Sequence, residues 1–397
     1  MVAYRTLDDI DVRGKRVLLR LDLNVPMRSG EVADWTRIER QAPTIRELAD
    51  KGARIIVLSH FERPGGKVVP AMSLKPLAPA LSRVLQRPVA FAEDCIGPLA
   101  QSAVAKLQDA DVLLLENTRF HPGEEKNDAN FAKALAALGD IYVNDAFSAA
   151  HRAHASTEGI AHLLPSAAGR SMQAELSHLA KAIEHPERPL MAVVGGAKIS
   201  TKIELLENLA GKVDALFIGG AMANTFLAAE GHAIGKSLSE SNQFETARRC
   251  IAKAQSGGAK LLLPVDVVVA ANLAANVSNR IAGIDDVDEN EMILDIGPRT
   301  IMAFGRELNK MKTVVWNGPL GAFEVPPFNR GTNAAAGAVA ERTKEGKVLS
   351  VAGGGDTVAA LDRAGVMDDF TYVSTAGGAF LEWLEGRTLP GVAALSR

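Results

Sequence analysis

The chain has 397 residues, 47% apolar and 23% charged, with 44 Lys and Arg against 47 Asp and Glu. That length exceeds one ordinary core, so two domains are expected, and a formal charge of −3 argues against a general nucleic-acid binder. The two cysteines, Cys95 and Cys250, lie far apart and in no metal-ligand spacing, so neither a disulfide scaffold nor a zinc site is expected.

Short apolar runs recur along the chain, each followed by polar or glycine-rich punctuation and a helix-like stretch. The first half carries KRVLLRLDLNVP, ARIIVLSHFERP, DVLLLENTRF and DIYVNDAF. Around AGRSMQAELSHLAKAIEHPERP, Met172, Leu176, Leu179 and Ile183 keep helical spacing, and Pro186 and Pro189 stop the helix. The second half carries LMAVVGGAK, ALFIGGAM, KLLLPVDVVVA, TVVWNGPLG, KVLSVAGGGD and FTYVSTAGGA. Continuous apolar strands alternating with helices predict parallel sheets covered on both faces. The expected class is α/β, doubly wound and repeated twice. The expected division is residues 1–170, a bridging helix over 171–188, a second domain over 189–380, and a closing segment 381–397 that folds back on the first domain. The opening MVAYRTLDDIDVRGK lacks the apolar core of a signal peptide, and no run approaches the ~20 residues of a membrane span. A cytoplasmic location is therefore expected.

Ligands of open α/β sheets bind beyond the carboxyl ends of the strands. In the first half those positions hold Asp22 and Asn24, with Arg37 shortly after; His60 and Arg63; Arg119; and His151, Arg152 and His154. Arginines converging on one face call for an anion, and a small molecule carrying both carboxylate and phosphate suits them. In the second half the same positions hold glycines: Gly195 and Gly196, Gly219 and Gly220, Gly318 and Gly321, Gly353 to Gly355, and Gly377 and Gly378. Such turns let backbone N–H groups approach a nucleotide. A phosphate would sit on Gly354, Gly355, Asp356 and Thr357. Asp356 either holds the divalent metal that accompanies nucleotide phosphates or caps the following helix.

Three other readings fail on spacing. GHAIGKS has three residues between Gly231 and Gly235 where a P-loop has four. HRAH places an arginine between His151 and His154, which favours an anion over a metal pair. A dinucleotide fingerprint fails at Gly353, Gly355 and Val358.

With these residues in place, the chain resembles the phosphoglycerate kinase family from end to end. RLDLNVP, LSHFERP, LLENTRFHPGEEKND, YVNDAFSAAHRAHAST, VVGGAKISTKIELL, WNGPLGAFE and SVAGGGDTVAAL carry the resemblance. It implies two Rossmann-like lobes of similar size, a bridging helix and a cleft, in a monomer. The implied activity is reversible phosphoryl transfer from 1,3-bisphosphoglycerate to ADP, with Mg2+, in glycolysis and gluconeogenesis. Asp22, Asn24, Arg37, His60, Arg63, Arg119 and Arg152 match the family's binding positions for 3-phosphoglycerate. Lys202 matches its phosphate-contacting lysine, Glu324 its ribose-contacting glutamate, and Gly354, Gly355, Asp356 and Thr357 its phosphate loop, with Asp356 at the metal. Arg37 and Lys202 take the catalytic roles, and Lys198 and Asn317 lie close by. Glu62 stands where the family commonly has glycine. Ala221, Ala376 and Phe380 also depart from its usual pattern.

Overall fold

The computed structural model describes residues 4–396. The chain divides into two compact units, Met1–Ser177 with Thr388–Arg397, and His178–Arg387.

The first unit is built on six parallel strands: β1 Arg16–Arg20, β2 Arg54–Leu58, β3 Val89–Ala92, β4 Val112–Leu115, β5 Ile141–Asn144 and β6 Ser166–Ala168. Their order across the sheet is β3-β4-β2-β1-β5-β6. β1, β2, β4 and β5 are almost wholly buried, as apolar runs without alternation require when helices cover both faces. Helix α1 (Thr36–Asp50) shows how a face is covered: Ile38, Ala42, Ile45, Leu48 and Ala49 form its buried stripe. Because all six strands run one way, their carboxyl ends share one rim.

The expected helix forms over Arg170–Leu179 (α2) and continues as a wider π turn, Ala180–Glu184. Met172, Leu176, Leu179 and Ile183 are buried, and Pro186 follows shortly after the end. The Asp145 carboxylate, just beyond β5, accepts the Met172 N–H at 3.0 Å and so caps the first turn. Burial pushes the Asp145 carboxyl up to about 7. At the other end of the sequence, Gly391 donates its N–H to the Ala150 carbonyl at 2.8 Å, which ties the final residues to the first unit.

The second unit has a parallel sheet of β7 Leu190–Val194, β8 Ala215–Ile218, β9 Lys260–Leu262, β13 Thr313–Asn317, β14 Leu349–Gly353 and β15 Tyr372–Ser374, in the order β9-β8-β7-β13-β14-β15. Between β9 and β13 lies a smaller antiparallel sheet of β10 Asp266–Ala270, β11 Asn279–Gly283 and β12 Met292–Ile296, with β10 in the middle. The run KLLLPVDVVVA, read as one strand from its apolarity, is therefore two strands in two sheets. Pro264 has no N–H to donate to a ladder, so the chain breaks there. Asp266 then turns its carboxylate onto the N-terminus of the next helix, accepting from Arg299 and Thr300 N–H at 3.0 and 2.7 Å.

The glycine-rich strand ends are packed, not loose. A Cβ built on Gly195 would lie 2.0 Å from the Pro319 carbonyl oxygen, whereas one on Gly355 meets nothing within 4 Å. Gly195→Ala is expected to destabilise the second unit by at least about 2 kcal/mol, the cost of overpacking against backbone. Gly355→Ala should be neutral or stabilising by under about 1 kcal/mol. Denaturant midpoints of the two variants check this; equal stabilities would contradict it.

Candidate active site

The first unit gathers basic groups along its carboxyl rim. β1 ends in Arg20, whose side chain is fully buried. Its Nε donates to Ser156 Oγ at 2.9 Å, one terminal nitrogen to the Leu21 carbonyl, and the other faces His60 Nδ1 at 3.0 Å. A guanidinium can only donate, so His60 Nδ1 accepts and the ring is neutral with its proton on Nε2. Burial, then the charges of Arg20 and Arg119, hold the His60 pKa well below its usual value. His154 is depressed to about 4 by burial and then by Arg119, Arg20 and Arg152.

Arg37 enters from the first turn of α1. It donates to Asp22 Oδ2 at 2.9 Å and to the Asn24 carbonyl at 2.8 Å. Asp22 also accepts the Ser148 hydroxyl and the Asn24 N–H, so this carboxylate organises the loop after β1. Arg119 follows β4 on a short 3-10 turn that Asn117 locks, accepting from the N–H groups of Arg119 and Phe61. Its side chain is only 4% exposed, donates to the Glu62 carbonyl at 2.9 Å and lies 3.3 Å from Glu125. Burial lowers its pKa. Glu62 adopts φ +53°, in the left-handed region. Both its backbone groups are engaged, the N–H by Asn24 Oδ1 at 3.0 Å and the carbonyl by Arg119. Arg152 is half-buried and donates to His151 at 3.1 Å; Arg63 is exposed. Arg20, His60, Arg119, Arg152 and His154 thus share one electrostatic neighbourhood, joined to Asp22, Asn24 and Arg37 through Glu62. Fixed cations beside neutral imidazole N–H groups fit a small polyanion.

The second unit has the complementary design. Loops after β7, β8 and β13 and the start of α3 (Gly220–Ala229) line a cavity of about 330 Å³. Its wall carries Gly196, Gly220, Ala221, Glu324 and Asp356, with an apolar side of Leu238, Leu273, Met292 and Val325. Glu324 and Asp356 are exposed. Beside Gly196, Lys202 Nζ donates to the Gly195 carbonyl at 2.7 Å and the Asn317 carbonyl at 3.3 Å. Desolvation lowers its pKa to about 8, against an opposing pull from the Asp356 charge. Gly318 makes this approach feasible: at φ +101° it leaves no room for a Cβ, which would fall 2.8 Å from Lys202 Nζ. Asn317 Nδ2 bonds the Gly353 carbonyl at 2.7 Å and ties β13 to β14.

Helix α4 (Gly355–Arg363) starts immediately after β14. Its N-cap is Gly354, at φ +97°, so Asp356 sits inside the first turn and is not the cap. The first-turn N–H groups face outward from the helix end without intrahelical partners, an anion-binding arrangement. The Thr357 hydroxyl accepts the Gly318 N–H at 2.7 Å, which fixes the side chain while leaving its own O–H proton to donate. Lys198 is exposed one turn from Lys202. Phe380 is fully buried against Gly353, where a Cβ would meet its ring at 2.7 Å; Ala376 is buried nearby in sequence.

Two participants escape the strand-end pattern. Arg20 reads as a strand residue, and its only signal is a charge inside the apolar run VLLRLDL. Asp295 lines the cavity fully buried, accepts the Ile296 and Gly331 N–H groups, and is pushed up to about 7 by burial. Nothing local in MILDIGP marks it.

The family model described as phosphoglycerate kinase matches residues 7–387. The phosphoglycerate kinase of Methylobacterium radiotolerans is 62% identical over 396 residues, covering 100% of this chain and 99% of the relative. That of Rhodospirillum centenum is 60% identical over 394 residues, covering 99% and 100%. Among solved structures, phosphoglycerate kinase from Coxiella burnetii aligns with TM-score 0.93 at 44% identity over 99% of both chains. The Pyrococcus horikoshii enzyme aligns with TM-score 0.82 at 30% identity over 98% of both.

A lysine whose folded pKa is lowered binds fewer protons in the native than in the unfolded state, here between about 8 and the exposed value of about 10.4. Its charge therefore costs stability below about pH 8, and the cost is relieved as pH rises toward about 10.4. Ligand-free protein should gain stability between about pH 7.5 and 9.5 by an increment that Lys202→Met removes. Denaturant midpoints at both pH values measure it; an identical rise in both proteins would refute the assignment.

Proposed function

The chain belongs to the phosphoglycerate kinase family, and on that premise we propose how its residues divide the transfer of a phosphoryl group between 1,3-bisphosphoglycerate and ADP. In the direction of acyl-phosphate synthesis the nucleophile is a carboxylate, ionised at neutral pH because its pKa lies near ~4. No general base is required, and positioning with charge neutralisation carries the catalysis. One observation supports the division most directly: cations are packed on the rim of one unit, and a desolvated lysine stands beside a glycine-lined cavity in the other.

Arg37, His60, Arg63, Arg119 and Arg152 hold the phosphorylated acid. Asp22 cannot face its anionic groups; it fixes Arg37 and offers its remaining acceptor capacity, with Asn24, to the hydroxyl. Lys202 and the N–H groups of Gly354, Gly355, Asp356 and Thr357 take the nucleotide phosphates, and Glu324 takes the ribose. Arg37 and Lys202 neutralise the equatorial oxygens during transfer. An exposed carboxylate at a phosphate-binding helix terminus fits Mg2+, which takes one or two carboxylates and otherwise water and phosphate oxygens. Asp356 would hold it, and the ion would supply charge neutralisation of the nucleotide phosphates. Transfer requires the two units to be brought together on their ligands, with water excluded. We place the enzyme in the cytoplasm, as a monomer acting on small molecules, with no nucleic-acid or membrane partner.

Formation of ATP from 1,3-bisphosphoglycerate and ADP, followed in a coupled assay, tests the reading. Lys202→Ala should lose ~10²–10³ in kcat, or roughly 3 kcal/mol, with far less change in the KM for ADP; near-normal turnover would remove Lys202 from the transfer step. Glu62→Gln keeps the left-handed backbone strain and deletes one exposed negative charge adjacent to Arg63 in the chain. It should lower the KM for 3-phosphoglycerate about two- to threefold at low ionic strength, with the gain fading in salt beyond about 0.15 M. A salt-independent change would show that the effect is not electrostatic.

A further inference from the structure

Phosphoryl transfer leaves unused a group of chemically capable side chains: Asp94 and Cys95, which follow β3, and His121, which follows the Arg119 turn. The sheet brings them together. β3 and β4 are parallel neighbours paired up to Ala92 and Leu115, so the loops leaving their carboxyl ends run side by side. A carboxylate oxygen of Asp94, Sγ of Cys95 and a ring nitrogen of His121 all lie within 4.8 Å of one another, the one such set of His, Cys and acidic groups among the described residues. The set is held in place. His121 Nε2 and Asp94 Oδ1 are 2.7 Å apart, and the same oxygen accepts the Cys95 N–H at 2.7 Å. The imidazole stacks on Phe131 with centroids 5.1 Å apart. Cys95 is fully buried, while the Asp94 and His121 side chains are 36% and 28% exposed. A cavity of about 450 Å³, lined by His121, Lys126 and Asp128, opens beside them. Glu124 and Glu116 add negative potential around the thiol.

A thiol, an imidazole and a carboxylate form a donor set for Zn2+ and similar borderline-soft ions, not for Mg2+, which demands oxygen. A tetrahedral zinc with bonds of about 2.0–2.3 Å spaces its ligands about 3.3–3.8 Å apart, so side-chain adjustment alone closes the site. We propose that Asp94, Cys95 and His121 bind a zinc-class divalent ion, with solvent as the fourth ligand. The ion takes the place of the proton between His121 Nε2 and Asp94, which moves to Nδ1, and the Cys95 thiol proton leaves to solvent. The sequence pattern gave no hint of this site because its ligands come from two loops that are distant in the chain.

The site is independent of the kinase assignment, and its readout uses metal alone. Chelator-treated full-length protein without nucleotide is titrated with Co2+. The expected result is one Co2+ per chain, a near-ultraviolet thiolate-to-cobalt band, strong visible bands of four-coordinate cobalt, and displacement by Zn2+. Cys250→Ser should retain the signal, Cys95→Ser should abolish the near-ultraviolet band, and His121→Asn should weaken binding at least tenfold. Should Cys95→Ser fail to fold, His121→Asn at its part-exposed position decides the matter. No band at millimolar Co2+, a band surviving Cys95→Ser or lost in Cys250→Ser, or unchanged affinity in His121→Asn would overturn the site.

Discussion

A full positive charge inside the first unit sets the terms for everything around it. Arg20 is buried at the end of a central strand, and its direct partners are a hydroxyl, a carbonyl and an imidazole, all uncharged. Leaving such a charge unsatisfied would cost several kcal/mol. The surroundings answer in kind. The Ser156 hydroxyl donates in turn to the Glu124 carboxylate, so Arg20 reaches an acid through a bridging hydroxyl. His60 stays neutral because Arg20 occupies its acceptor. Arg119 and Arg152 then add further charge to a rim that is already positive, which Glu125 offsets in part and an anionic ligand would relieve further. The ligand preference of the face is thus written into the core of the sheet before any surface side chain contributes.

The second unit reaches the same end differently. There the positive elements are backbone N–H groups at helix starts and one lysine whose ammonium is held by two carbonyls. Backbone donors need close approach, and close approach needs residues without a Cβ, which is why Gly318 and Gly354 sit at positive φ around Asn317 and Lys202. Where the first unit concentrates side-chain charge, the second concentrates main-chain dipoles, and each solution dictates the composition of its strand ends.

Much of this was legible in the sequence. Apolar runs without alternation mark central parallel strands, and the residues just beyond them include Arg37, Arg119, Lys202 and the loop at Gly354. What was illegible depended on meetings between distant segments. Arg20 looks like one more strand residue until His60 and Ser156 arrive beside it. Asp295 becomes a cavity wall only when Gly331 donates to it across the fold. The antiparallel sheet hides behind an apolar run whose break at Pro264 takes effect only because a second sheet stands ready to receive the far half. The Thr357 hydroxyl accepts from the Gly318 N–H, a partner that no local pattern announces.

Glu62 shows how narrowly a position can be constrained. Asn24 and Arg119 grip its amide and carbonyl, and the left-handed turn those bonds enforce costs a residue with a side chain on the order of 1 kcal/mol. The demand falls on the main chain alone. A glycine would take the same turn without that penalty, so the side chain Glu62 carries is one the backbone geometry tolerates and does not require.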